Sequence, residues 1–210
     1  MKSSTFWSLL LNPFTRLGGW KAFFIGLAIL LITTAVGCFY EVAPIGLLYI
    51  GLVEDPQLST ILACQLSVLG VFMVVTYIIA LISTKNVRFQ DVLGITTLAQ
   101  SPILLLVLST LPMKGIANAA ISFMKDGDPT ALNQLQSVGS YVFIICVSIA
   151  LVAILIWYIL ILYNGFRTLT DLKAGKGIFI FIIVLILCDV LSSYLVYLLT
   201  NGAINRFAFV

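Results

Sequence analysis

Hydrophobic residues run almost unbroken through five stretches of this chain, residues 20–40, 58–83, 92–112, 139–163 and 177–200. Each is long enough to cross a bilayer as a helix, which takes about 20 apolar residues. Helices are the form to expect, because a lone strand in lipid would leave its backbone donors and acceptors bare. The pattern predicts an all-α polytopic membrane protein: one domain of five transmembrane helices, residues 20–210, preceded by a short segment, residues 1–19.

The interruptions predict the rest. Residues 42–53 are an apolar dozen broken by Pro44, Gly46 and Gly51. They are too short to span, so they are expected to form an interfacial or re-entrant element. In "SSTFWSLLLNPFTRL", residues 3–17, the side chains of Phe6, Trp7, Leu10, Phe14 and Leu17 fall near one helical face. Trp7 and Trp20 suit the headgroup level. This predicts an N-terminal interfacial helix on the cytoplasmic surface, bent at Asn12–Pro13 because proline removes a helical hydrogen bond. The long third loop holds "MKGIANAAISFMK", which spaces Ile116, Ala120, Phe123 and Met124 along one face of a short surface helix. Asp128 followed by Pro129 then reads as the start of the helix leading into the fourth span.

Composition agrees. Of 210 residues 61% are hydrophobic and 9% charged, with a mean hydropathy of +1.17. A soluble domain carries about a quarter charged residues. There is no histidine, which removes the commonest general base and metal ligand and with it serine–histidine, cysteine–histidine and histidine-based zinc chemistry. Cys38, Cys64, Cys146 and Cys188 lie in apolar runs without paired spacing and read as small buried hydrophobes. No cofactor or metal is expected. A secretory signal peptide is not expected either, since Asn12, Pro13 and Arg16 interrupt the first apolar stretch.

The net charge of +3 is a matter of orientation, not of nucleic-acid binding. With five spans, Lys2, Arg16, Lys21, Lys85, Arg88, Arg167, Lys173 and Lys176 fall on one side. Only Lys114, Lys125 and Arg206 fall on the other. The positive-inside rule then puts the N-terminus in the cytoplasm and the C-terminus outside. Arg16, Lys21, Lys85, Arg88, Arg167, Lys173 and Lys176 are expected to meet anionic lipid headgroups at the membrane surface. "AGKG", residues 174–177, lacks the upstream glycine and following hydroxyl of a phosphate loop and reads as a basic turn.

Two groups of residues could carry chemistry. In "TTLAQSP", residues 96–102, Thr97, Gln100 and Ser101 share one helical face, and Pro102 frees a carbonyl near Leu98. In the last span Asp189, Ser192, Ser193 and Tyr197 form a polar stripe. An aspartate at a helix centre costs roughly 2.5–3.5 kcal/mol on insertion scales and rarely faces lipid. No lysine or arginine lies in the interior of a span to pair with it, Lys21 standing at the very start of the first, so Gln65 and Gln100 are the expected hydrogen-bond partners. The bland reading is a polar clasp that fixes helix packing. The sharper ones are proton or ion handling, or a site for a lipid or partner helix. Intramembrane proteolysis is disfavoured, because no second aspartate lies within a span.

Three stretches resemble the Yip-domain family in its short bacterial form: "NPFTRLGGWKAFF" before the first span, "KNVRFQDVLGITTLAQSPILL" leading into the third, and "RTLTDLKAGKG" before the last. The resemblance covers nearly the whole chain and rests on pattern and hydropathy. It implies five membrane helices, a cytoplasmic N-terminus, and Pro102 as the helix-breaking position. It also implies a non-enzymatic protein of the bacterial plasma membrane with a role in membrane organisation. The Asp-Leu-x-Gly-Pro motif of the eukaryotic, GTPase-associated branch is not present, and Gly94 is followed by Ile95 instead of tyrosine after a second glycine. The expected function is thus a membrane scaffold acting through lipids and through a membrane-protein partner or a second copy of itself. The alternative is a small transporter or channel using Asp189 and the polar face of the third helix.

Overall fold

A computed structural model describes residues 12–53, 57–84, 87–110 and 138–200. Most of the N-terminal interfacial segment, Lys85, and the surface helix and helix start expected in the third loop lie outside the described residues. The chain is mostly helical. Its helices are α1 (Gly19–Tyr40), α2 (Leu58–Ser83), α3 (Phe89–Ala99), α4 (Ile103–Thr110), α5 (Val138–Thr170) and α6 (Ala174–Leu199). Helices α3 and α4 are two halves of one span, so among the described residues five helices are long and apolar enough to cross a membrane.

The spans match the apolar runs, with small differences at their ends; α6, for one, begins at Ala174, three residues before the predicted start. Helix α5 runs seven residues past the predicted end, because helical hydrogen bonding does not stop where hydropathy falls. The hydroxyls of Thr168 and Thr170 donate to the carbonyls of Asn164 and Phe166 and stay within the helix. The third span begins at Phe89, three residues earlier than predicted, and breaks where proline demands it. Ser101 N–H donates to the Leu98 carbonyl at 3.0 Å and Ile103 N–H to the Gln100 carbonyl at 3.0 Å. Tight three-residue turns thus take up the carbonyl expected to be free near Leu98.

Helices α1 and α3 form the most extensive helix–helix interface. It is built on backbone contact. A Cβ at Gly26 would sit 2.7 Å from both Leu98 N and Thr97 C, and one at Gly94 would meet the Gly19 carbonyl oxygen. In lipid no hydrophobic force drives helices together, and close backbone approach at small residues supplies the van der Waals contact instead. At the same end of the bundle Phe14, in the 3₁₀ turn Pro13–Thr15, is buried beside Gly165 of α5. Tyr77 stacks edge-on against Phe89, and Thr84 bonds the Leu169 carbonyl at 3.4 Å. Exposed Arg16, Lys21, Arg88, Arg167, Lys173 and Lys176 all belong to this basic end.

Outward faces are apolar. Phe24, Leu31, Phe39, Ile82, Ile149, Phe179 and Val190 are each more than half exposed, as lipid-facing residues would be. Aromatic groups mark both ends, with Trp20, Phe23 and Phe24 at the basic end and Phe39 against Tyr40 at the other.

The apolar dozen after α1 is a β-hairpin. Strand β1 (Val42–Pro44) pairs antiparallel with β2 (Ile50–Leu52) in the register Val42↔Leu52, Ala43↔Gly51 and Pro44↔Ile50. Chain reversal after α1 is made by Glu41 in the left-handed region, φ 60°. All of Val42–Leu47 is buried, and β1 packs against α1, α2 and α4. The element is therefore packed among helices, as a re-entrant segment would be. Burial in protein is one of the settings in which non-helical backbone is tolerated at membrane depth.

Candidate functional site

The site is assembled where the hairpin turn meets α6. Five residues of extended chain carry the hairpin from Glu41 to Gly46, roughly 16 Å at the rise of a strand. Asp189 stands ten residues from the end of α6, roughly 15 Å down a helix. The two lengths agree, and the turn lands on the carboxylate. Leu48 N–H donates to Asp189 Oδ1 at 2.9 Å. A Cβ on Gly46 would lie 2.7 Å from the same oxygen and 2.6 Å from Ser193 Oγ, so only glycine lets the turn sit this close.

The turn closes itself on its other side, where the N–H groups of Ile45 and Gly46 both donate to the Tyr49 carbonyl at 2.9 and 3.1 Å. Leu48 N–H is not taken up within the hairpin and is partly buried. Asp189 supplies the acceptor. A bond to an ionised carboxylate is shorter and about twice as strong as one between neutral groups.

Several sequence expectations change here. Asp189 is held by a backbone N–H, not by the amide of Gln65 or Gln100. Gln65 pairs elsewhere: its Oε1 lies 2.9 Å from the Thr34 hydroxyl, which also reaches the Leu30 carbonyl at 2.9 Å. That bond ties α1 to α2. The predicted stripe on α6 is real in part. Ser192 is fully buried and donates to the Asp189 carbonyl at 3.2 Å, and Ser193 abuts Gly46, while Tyr197 is 45% exposed.

The polar face of the third span is divided by the break. Thr97 is buried and donates to the Leu93 carbonyl at 2.6 Å, Ser101 is half-buried, and Pro102 is buried. Gln100 caps α3 and is 4% exposed, yet neither its Oε1 nor its Nε2 has a partner. The Tyr158 hydroxyl of α5 and the Thr76 hydroxyl of α2 are likewise buried and unpartnered. Tyr158 lies within electrostatic reach of Asp189 and Cys188.

Sequence reasoning missed Gly46, Leu48 and Tyr158. A backbone N–H carries no side-chain signature, and Gly46 sits in a run with nothing polar beside it. Tyr158 did carry a signal, since a phenol in mid-span needs a polar partner. Among the described residues no three cysteine or acidic side chains converge. Compared with family models, curated proteins and solved structures, the chain matches none.

Proposed function

We propose that the chain is a non-enzymatic integral membrane protein of the Yip type, organising the membrane through helix–helix and lipid contacts. One observation carries this reading: the Asp189 carboxylate, the best candidate for chemistry, is engaged by the Leu48 backbone and so acts as a clasp for the re-entrant hairpin. The proposed setting is a bacterial inner membrane with the N-terminus cytoplasmic and the C-terminus outside. The exposed basic residues would face anionic headgroups, and the wide apolar faces of α5 and α6 would meet lipid, a membrane-protein partner or a second copy.

Reporter fusions test the orientation. A fusion at Asp126 is expected to report the outside and one at Lys173 the cytoplasm, and a shared side for both would sink the five-span arrangement.

A transporter reading is favoured by one feature, the unpartnered Gln100 amide at the broken third span. Midplane sites between broken helices are common in transporters. Proteoliposomes loaded with a pH-sensitive dye decide between the two. The scaffold reading expects wild type and Asp189→Asn to leak protons equally, at the rate of protein-free vesicles. Flux above that rate that vanishes in Asp189→Asn would replace the scaffold by a transporter.

A further inference from the structure

Helices α2 and α6 are the second most extensive helix pair among the described elements, yet they leave an outward-facing groove of about 490 Å³ between them. Leu66, Gly70 and Val74 stand at four-residue steps along α2 and form one wall, with Leu191 and Leu195 of α6 as the other. Gly70 is what opens it. A Cβ there would meet nothing within 4 Å, while Leu66 and Val74 on either side are large and about half exposed. The groove is separate from the Asp189 clasp, since Leu191 lies two residues, roughly 200° round the helix, from Asp189.

The lining says what fits. Its one polar residue is Ser67, whose hydroxyl donates to the Ala63 carbonyl at 2.7 Å and is spent within its own helix. A polar or charged ligand would be desolvated there without a partner. A second helix is also a poor fit. Helices associate in lipid through small residues four apart that let backbones touch, and the residues four before and four after Gly70 are Leu66 and Val74. Their branched side chains hold another helix off but leave the slot over Gly70 open. A slim, unbranched hydrocarbon chain enters it.

Length and depth give the source of that hydrocarbon. The α2 wall runs from Leu66 to Val75, roughly 14 Å at the rise of a helix. One leaflet's acyl layer is half of the hydrocarbon core, about 15 Å. Leu66 and Val75 each stand eight residues inside an end of α2, which puts the groove at hydrocarbon depth. Leu191 and Leu195 belong to the half of α6 that ends away from the basic end.

We infer that the groove between α2 and α6 is a binding site for one unbranched acyl chain of a membrane lipid from the leaflet opposite the basic end, which rests on the protein's spanning a membrane and not on its scaffold role. The acyl chain fills the slot at Gly70 and joins α2 to α6 by van der Waals contact, as glycine packing joins α1 to α3.

The test is photolabelling of the full protein in nanodiscs by phosphatidylcholine that carries a diazirine in one acyl chain, with adducts mapped by mass spectrometry. Adducts should be several-fold denser over residues 66–75 and 191–195 than at the more exposed Ile149 and Phe179. Gly70→Leu fills the slot and should bring groove labelling down to the level of those outer faces without changing theirs. In detergent, added phosphatidylcholine should raise the melting temperature of wild type, as mass action requires of a bound ligand, and not that of Gly70→Leu. Labelling that merely follows exposure across α2, α5 and α6 overturns the proposal and leaves only bulk lipid at the groove. So does groove labelling that Gly70→Leu leaves intact, or a groove shielded from the probe by a second copy in a dimer that Gly70→Leu dissociates. Adducts on none of the outward faces would overturn the membrane setting together with the site.

Discussion

Gly26→Leu is expected to give the largest loss of stability of any single substitution in α1. The added Cβ alone would lie 2.7 Å from Leu98 N and Thr97 C, and those are backbone atoms of a helix that cannot swing aside. Accommodating it means moving α1 off α3, which dismantles the most extensive helix pair in the bundle. Overpacking at well-fitted sites costs typically 1–3 kcal/mol, and a residue that separates two backbones belongs at or above the top of that range. In detergent the melting temperature should fall by roughly 5–10 °C, using the usual conversion for a chain of this size.

Gly70→Leu is the control. It is also a mid-helix glycine, but a Cβ there meets nothing within 4 Å. It lines an outward-facing apolar groove of about 490 Å³ between α2 and α6 with Leu66, Val74, Leu191 and Leu195. Replacing it should leave stability unchanged or raise it slightly, since glycine is a poor helix former. Equal melting temperatures for the two variants would show that the α1–α3 contact does not hold the bundle together.

The contrast between these glycines shows where sequence reading stops. Gly26 and Gly70 stand in similar apolar runs, and nothing local says which one touches another helix. The five spans were legible because length and hydropathy are local properties that lipid tests along the chain. The break at Gln100–Pro102 was legible for the same reason, since proline acts on its own turn. The hairpin was harder. Strands that bury both faces lose the alternation that marks a half-buried strand, and Val42–Pro44 is buried throughout. What remained was a run too short to span, which left the interface and the interior both open.

The site was half legible. Asp189 drew attention as a charge within a span, and its helix neighbours Ser192 and Ser193 could be counted onto its face. Its partner could not. Amides such as Gln65 and Gln100 are visible as hydrogen-bonding side chains, but Leu48 looks like any apolar residue, and it bonds through its backbone across 141 positions. Gln65 was misassigned for a related reason. Thr34 donates within its own helix, as many membrane threonines do, and its second contact with Gln65 has no sequence mark.

Asp189→Leu is expected to release the hairpin while leaving the rest of the bundle largely in place. The substitution removes the acceptor for Leu48 N–H and leaves a partly buried donor without its protein partner. An unsatisfied buried donor costs about 1–3 kcal/mol. The branched side chain also lands where the turn already approaches so closely that Gly46 has no room for a Cβ. Asp189→Asn separates the two meanings of the residue. Its Oδ1 can still accept from Leu48, so the clasp survives with only the charge-assisted share of the bond lost, a cost of about 1 kcal/mol. Hydrogen–deuterium exchange of the purified chain reads the difference residue by residue. Amides of 42–53 should exchange about tenfold faster in Asp189→Leu and within about threefold of wild type in Asp189→Asn, following the free-energy costs above. The α1–α3 amides should be unchanged in both, because the glycine contacts that join those helices do not involve the hairpin turn. Hairpin protection that survives Asp189→Leu would mean that burial among α1, α2 and α4 alone seats the turn. The clasp, and with it the scaffold role argued for Asp189, would then fall.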